Sequence, residues 1–161
     1  PMKFSAFILL SATYLAQTAF AADANPHASV LGVWQVDTSR LTMPPEARPQ
    51  SVTITFTEEA AEHLRTKVEI IDPTGAPLQA EGVTPLDGTP TAVPPTFEAD
   101  MSAPTLPRPE VLIMQLANQG HPVSTRIYAV NPDNQSMIET VAYFNAEGQP
   151  ALRRNYFSRV K

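Results

Sequence analysis

Residues 51–56 alternate polar and apolar without a break, Ser-Val-Thr-Ile-Thr-Phe. That period of two marks a strand with one buried face. A short strand is also expected at residues 32–37, opening on Gly32-Val33-Trp34. Residues 67–72 and 78–83 read as a hairpin around the turn Pro73-Thr74-Gly75. Residues 58–65 predict a short helix, with Ala60, Ala61 and Leu64 on one side and Thr57 as its cap. The last third predicts four strands, at 111–117, 123–131, 136–144 and 151–160. Short turn sequences separate them, Asn118-Gln119-Gly120-His121, Pro132-Asp133-Asn134 and Asn145-Ala146-Glu147-Gly148, which makes an antiparallel meander. No helical period lies between them, so βαβ units are excluded there.

Between Pro85 and Pro109 stand seven prolines in 25 residues. Proline donates no ladder hydrogen bond, so residues 85–109 are expected to be mostly loop, with a short strand at 97–101. The fold class is all-β, an eight- to nine-stranded antiparallel meander that closes into a barrel or curves strongly to protect its edges.

Turn lengths suggest a register, and register decides which side chains share a face. If Asn118 opposes His121, Asn131 opposes Ser136 and Phe144 opposes Gln149, one face collects Leu112, Met114, Leu116, Thr125, Ile127, Ala129, Ile138, Thr140, Ala142, Phe144, Arg153, Asn155 and Phe157. The other collects Ile113, Gln115, Arg126, Tyr128, Glu139, Tyr143, Arg154 and Tyr156. The first is the more apolar and is expected to face the core. It would carry Arg153 inward, which requires a partner or a wet cavity.

The chain begins with a different pattern. Lys3 precedes a mostly apolar run over residues 4–16, and Ala19-Phe20-Ala21 is a small-x-small site. That order predicts a secretory signal at residues 1–21, too short to span a bilayer. The remaining domain, 22–161, has 140 residues and a formal charge of −6, since Lys3 is the one charge removed. No second long apolar run follows, so no integral membrane segment is expected after processing.

Composition narrows the chemistry. With no cysteine in 161 residues, disulfides, thiol nucleophiles and thiolate-held zinc are excluded. An acidic balance with scattered charges argues against a nucleic-acid partner. Glu59 and His63 have the spacing of two ligands on a helix, but no third joins them, so no metal site is assigned. No nucleophile elbow or phosphate loop is present, and no cofactor is expected.

The order of motifs carries a resemblance. Gly32-x-Trp34 at the first strand is followed by Asp72-Pro73-Thr74-Gly75-Ala76-Pro77, Pro85-Leu86-Asp87-Gly88, Asn131-Pro132-Asp133 leading to Met137, and Gly148-Gln149-Pro150. With the signal and the meander, this resembles the lipocalin and calycin barrels, most closely small secreted bacterial lipocalin-like domains. The resemblance implies a barrel, an exported periplasmic or extracellular location and, by analogy, ligand binding. It also implies an arginine across the Trp34 ring, a part open to Arg153 or Arg159.

Three functions follow as expectations. The first is binding of a small, largely apolar molecule in a barrel cavity lined by Trp34, Met114, Thr125, Ile127, Thr140, Arg153 and Asn155. Trp34 is open to two roles, a cavity floor or a plug at the barrel bottom. The second is an envelope interaction or structural protein with a protein partner and no small ligand. The third is a barrel enzyme, an isomerase, lyase or hydrolase, using Tyr128, Glu139 and Arg154 as lateral neighbours on adjacent strands. In the assumed register that trio faces outward, where a cross-strand charge pair is the plainer role.

Overall fold

A computed structural model describes residues 28–96 and 98–160. The expected signal at residues 1–21 lies outside the described residues. Ten antiparallel strands form one sheet: β1 Gly32–Val36, β2 Ser51–Ala60, β3 His63–Ile71, β4 Pro77–Pro85, β5 Thr91–Ala92, β6 Met101–Arg108, β7 Val111–Asn118, β8 His121–Val130, β9 Ser136–Phe144 and β10 Pro150–Val160. Their order is β4-β3-β2-β1-β10-β9-β8-β7-β6-β5. Every chain neighbour from β1 to β4 and from β5 to β10 is also a sheet neighbour. The pairing of β1 with β10 joins the two runs into a nearly closed barrel, whose sheet ends are β4 and β5.

Three expectations about elements are corrected. The helix over 58–65 does not form. β2 runs on to Ala60, Glu62 turns the chain at φ 62°, and β3 starts at His63. Long-range pairing overrides local propensity here. Leu64 is buried as a strand residue, and Arg65 bonds Glu59 and Glu81 across the strands. The proline-rich stretch is less irregular than expected, because β6 runs through Pro104 and Pro107. It lies next to the sheet end, and its ladder with β7 is interrupted between Thr105 and Arg108. The strand count is ten, one more than the upper expectation, from the added β5.

The register is corrected at two places, and the two errors cancel. In the β7–β8 hairpin Asn118 does face His121, but Leu116 pairs with Ser124 and Ala117 with Pro122. Val123 is therefore an extra residue, a bulge beside a proline that has no N–H for the ladder. Beyond it β8 presents the opposite face. Its register with β9 is as expected, Val130 against Met137, so β9 is turned as well. In the last hairpin Phe144 faces Pro150, not Gln149. The Asn145 side-chain carbonyl accepts from the backbone N–H of Glu147 and Gln149, and Gly148 at φ 74° closes the turn one residue later. That slip turns β10 back. β7 and β10 thus show the expected faces, while β8 and β9 point Tyr128, Val130, Met137, Glu139 and Val141 inward, all buried.

One end of the barrel is closed by Trp34. It is fully buried, and its indole Nε1–H donates to the Val30 carbonyl at 2.8 Å. The Arg159 guanidinium lies 4.1 Å from its ring centroid. Of the two arginines open for this part, Arg159 takes it. Its Nη1 and Nη2 donate to the carbonyls of Leu31 (2.9 Å) and Ser29 (2.6 Å), and its Nε to that of Asn134 (2.8 Å). Gly32 makes room, since a Cβ there would stand 2.5 Å from Arg159 Nη1, and its φ of +130° is one that side chains rarely adopt.

Gly32→Ala therefore meets two penalties, and Gly88→Ala, at φ +82° with nothing near its Cβ position, meets one. Urea unfolding is expected to show a loss of about 2–4 kcal/mol for Gly32→Ala and about 1 kcal/mol for Gly88→Ala. Equal losses would mean that Arg159 is not confined by Gly32.

Candidate functional site

Above the Trp34 plug the barrel holds a cavity of about 350 Å³. One wall is apolar, with Val36 on β1, Val52 and Ile54 on β2, and Val68 and Ile70 on β3. Period-two alternation on these strands sends every second side chain inward and accounts for that wall. The facing wall comes from β7 to β10 and carries Met114, Arg126, Tyr128, Glu139, Arg153 and Asn155. Direct pairing sets its rows. Leu112, Tyr128, Glu139 and Asn155 follow one another across the strands, and Met114, Arg126, Val141 and Arg153 form the next row.

The polar wall is built around Arg126. Its side chain is 12% exposed and that of Glu139 only 1%. Arg126 Nη1 donates to Glu139 Oε1 at 2.6 Å, and Asn155 Nδ2 donates to Glu139 Oε2 at 2.6 Å. Arg126 Nη2 donates to Glu98, which reaches in from the segment between β5 and β6. There Thr96 Oγ1 accepts from the backbone N–H of Glu98 and Ala99, which fixes the approach of Glu98. Among the described residues, two atoms of cavity-lining side chains are buried with no partner, Arg126 Nε and, on β3, Thr66 Oγ1.

Tyr128 is buried edge-on between Phe56 and Phe157, at centroid distances of 5.1 and 6.3 Å. Burial first, and then the Glu139 carboxylate, push its phenol well above the ordinary tyrosine range. Burial works against the charge of Arg126, but its interactions with Tyr128, Glu139 and Glu98 outweigh this and hold it above its ordinary value. The guanidinium is thus permanently charged, the phenol permanently neutral near neutral pH. Arg153 sits nearer the open end, its guanidinium 5.4 Å from the Tyr143 ring centroid.

The structure brings some of the expected residues together and separates others. Met114, Arg153 and Asn155 line the cavity, and so do Tyr128 and Glu139. Thr125, Ile127 and Thr140 stand on the outer face, because the Val123 bulge turned β8 and carried β9 with it. Arg154 pairs with Thr140 and is exposed, so the trio Tyr128, Glu139, Arg154 is not formed. Arg126 takes the place of Arg154 beside Glu139. Trp34 does not line the cavity. Glu98 and Arg126 were missed by sequence reasoning. A proline immediately before the expected strand at 123–131 was the available signal for Arg126, and nothing local marked Glu98. Glu59 and His63 sit across a hairpin, with Glu59 held by Arg65. Among the described residues no group of three or more metal-binding side chains converges.

No protein-family model matches the chain, and no curated protein does. Its fold is similar to solved structures. A Schistosoma mansoni fatty acid binding protein in complex with arachidonic acid aligns with TM-score 0.57 and 15% identity, covering 84% of this chain and 98% of that one. A variant of the fluorescent protein UnaG aligns with TM-score 0.54 and 15% identity, covering 83% and 97%. The likeness is one of fold: this chain is an antiparallel, nearly closed β-barrel like those two.

The buried phenol has a consequence for alkaline stability. Its folded pKa lies above its unfolded value of about 10, so the unfolded chain loses the proton first. Stability is then expected to fall above pH ~10, by up to about 1.4 kcal/mol per pH unit from this group. Denaturant unfolding of Tyr128→Phe between pH 8 and 11 should lack that part of the fall. An unchanged slope would place Tyr128 in water.

Proposed function

We propose that this chain is a binding barrel for a small, largely apolar molecule with one polar end. A single observation carries the reading. A cavity of about 350 Å³ has an apolar wall on β1 to β3 and, facing it, a buried and hydrogen-bonded polar cluster around Arg126. Ligand sites have this make-up, mostly apolar with a few fixed polar groups, and this volume lies at the small end of their range of about 300–1,000 Å³. The similar barrel with arachidonic acid supports the same reading. The aromatic edges of Phe56 and Phe157 keep Tyr128 in place, so the polar wall is formed before a ligand arrives. Preorganisation of that kind lowers the ordering cost of binding.

The apolar dye Nile red tests this. Its fluorescence is expected to rise on binding to the folded protein. Val68→Phe, which fills the apolar wall, should weaken binding at least about tenfold with an unchanged circular dichroism spectrum. A dye that gains no fluorescence, or binds Val68→Phe equally well, overturns the cavity reading.

We also propose that the barrel works outside the cytoplasm. The support is the order Lys3, apolar run and Ala19-Phe20-Ala21 at the start of the chain. Expression of the full sequence in a bacterium with N-terminal sequencing of the exported product is expected to give Ala22 first. A cytoplasmic product that retains Met2 would refute it. A docking role toward an envelope protein is the second reading. It is favoured by Phe144 and Leu152, exposed at 71% and 72% on neighbouring outer positions of β9 and β10.

A further inference from the structure

The polar wall also points to the kind of polar end the ligand carries. This inference rests on the binding reading above. Arg126 presents the cavity's most buried cation, and both ends of its guanidinium are taken, Nη1 by Glu139 and Nη2 by Glu98. Glu139 is itself filled on its second oxygen by Asn155. Among the described residues its Nε–H is buried without a partner and sealed from the cavity, so what a ligand can meet at this arginine is the second N–H of an Nη nitrogen. A carboxylate approaching that N–H would meet a guanidinium already flanked by two carboxylates. It would lose its water and gain no unshared positive charge.

The charges around the cavity are balanced. Arg126 and Arg153 stand against Glu98 and Glu139, and the remaining lining acid, Glu81, is paired with Arg65. An added anion or cation would break that balance in a poorly solvated space. A neutral oxygen would not. A carbonyl, ester or hydroxyl oxygen accepts from that Nη N–H without adding charge.

We propose that the cavity selects uncharged amphipathic molecules, alcohols, esters or ketones with an apolar tail, over fatty-acid carboxylates of the same length. Selection comes from Glu98 and Glu139 occupying the arginine that an acid would need. In this respect the chain departs from what the fatty acid in the similar barrel would suggest.

The test is displacement of Nile red by decanol, methyl decanoate and decanoate at pH 8, on the wild type and on Glu98→Gln. Glu98 lies on a connecting segment with its side chain 29% exposed, so its replacement leaves the strand ladder intact. Circular dichroism checks the fold of the variant. The wild type is expected to release the dye at about tenfold lower decanol or ester than decanoate. Because neutral molecules are also intrinsically more apolar, the deciding quantity is the change in that ratio. Glu98→Gln removes one of the two competing charges and should lower the ratio about tenfold by improving the acid. An equal ratio in wild type and variant, or a wild type that prefers decanoate, overturns the proposal and leaves the binding reading standing. Failure of Nile red itself to bind would overturn both. Arg153→Gln supplies a further check, since a decanoate affinity that collapses in this variant would show an acid held at Arg153, against the proposal.

Discussion

The contact of Arg159 with Trp34 closes one end of the barrel where the first and last strands pair. Arg159 sits near the end of the last strand and Trp34 in the middle of the first, and the two strands are paired. The guanidinium covers the ring, holds the carbonyls of Ser29 and Leu31 ahead of β1, and reaches Asn134 in the β8–β9 turn. One side chain thereby ties three chain segments and closes one end. A cation over a desolvated indole contributes about 2 kcal/mol, and the hydrogen bonds to the charged group add to it. Gly32 belongs to the same device, since any side chain there would occupy the place of the guanidinium. Without this contact the Trp34 end of the barrel would lose its cover, while the backbone ladder of β1 with β10 would still join the two runs of strands.

Closing the barrel creates the conditions for the second feature, a charged cluster in a poorly solvated interior. Such clusters are costly to desolvate and are often no more stable than an apolar replacement. Arg126, Glu139, Glu98 and Asn155 reduce that cost by bonding one another, with Arg126 Nε left without a partner among the described residues. A core built for stability alone would be served by leucine and valine at these positions. The cluster makes physical sense as a wall for recognition, where fixed dipoles and filled charges discriminate among molecules of similar apolar character.

Much of the architecture was legible along the chain. Alternation at 51–56 and the turn residues after 117, 131 and 144 located β2 and β7 to β10, and the Gly-x-Trp start located β1. The helix at 58–65 was misread because Glu59, Arg65 and Ala60 are good helix residues, while their charges serve a cross-strand network. The site was half legible. Met114, Arg153 and Asn155 were placed on the inner face, and Thr125, Ile127 and Thr140 were placed there wrongly. One bulge at Val123 and one longer turn after Asn145 produced that result. Each moves the register by a single residue, and a single residue exchanges the two faces of a strand.

Residue order alone determined the strand-rich class and the absence of thiol chemistry, because these depend on local period and composition. Tertiary structure decided which of two arginines covers Trp34, which face of β8 and β9 lines the cavity, and that Glu98 meets Arg126. Those are contacts between residues distant in the chain. They are fixed by where a proline interrupts a ladder and where a turn closes, quantities that alternation along one strand does not contain.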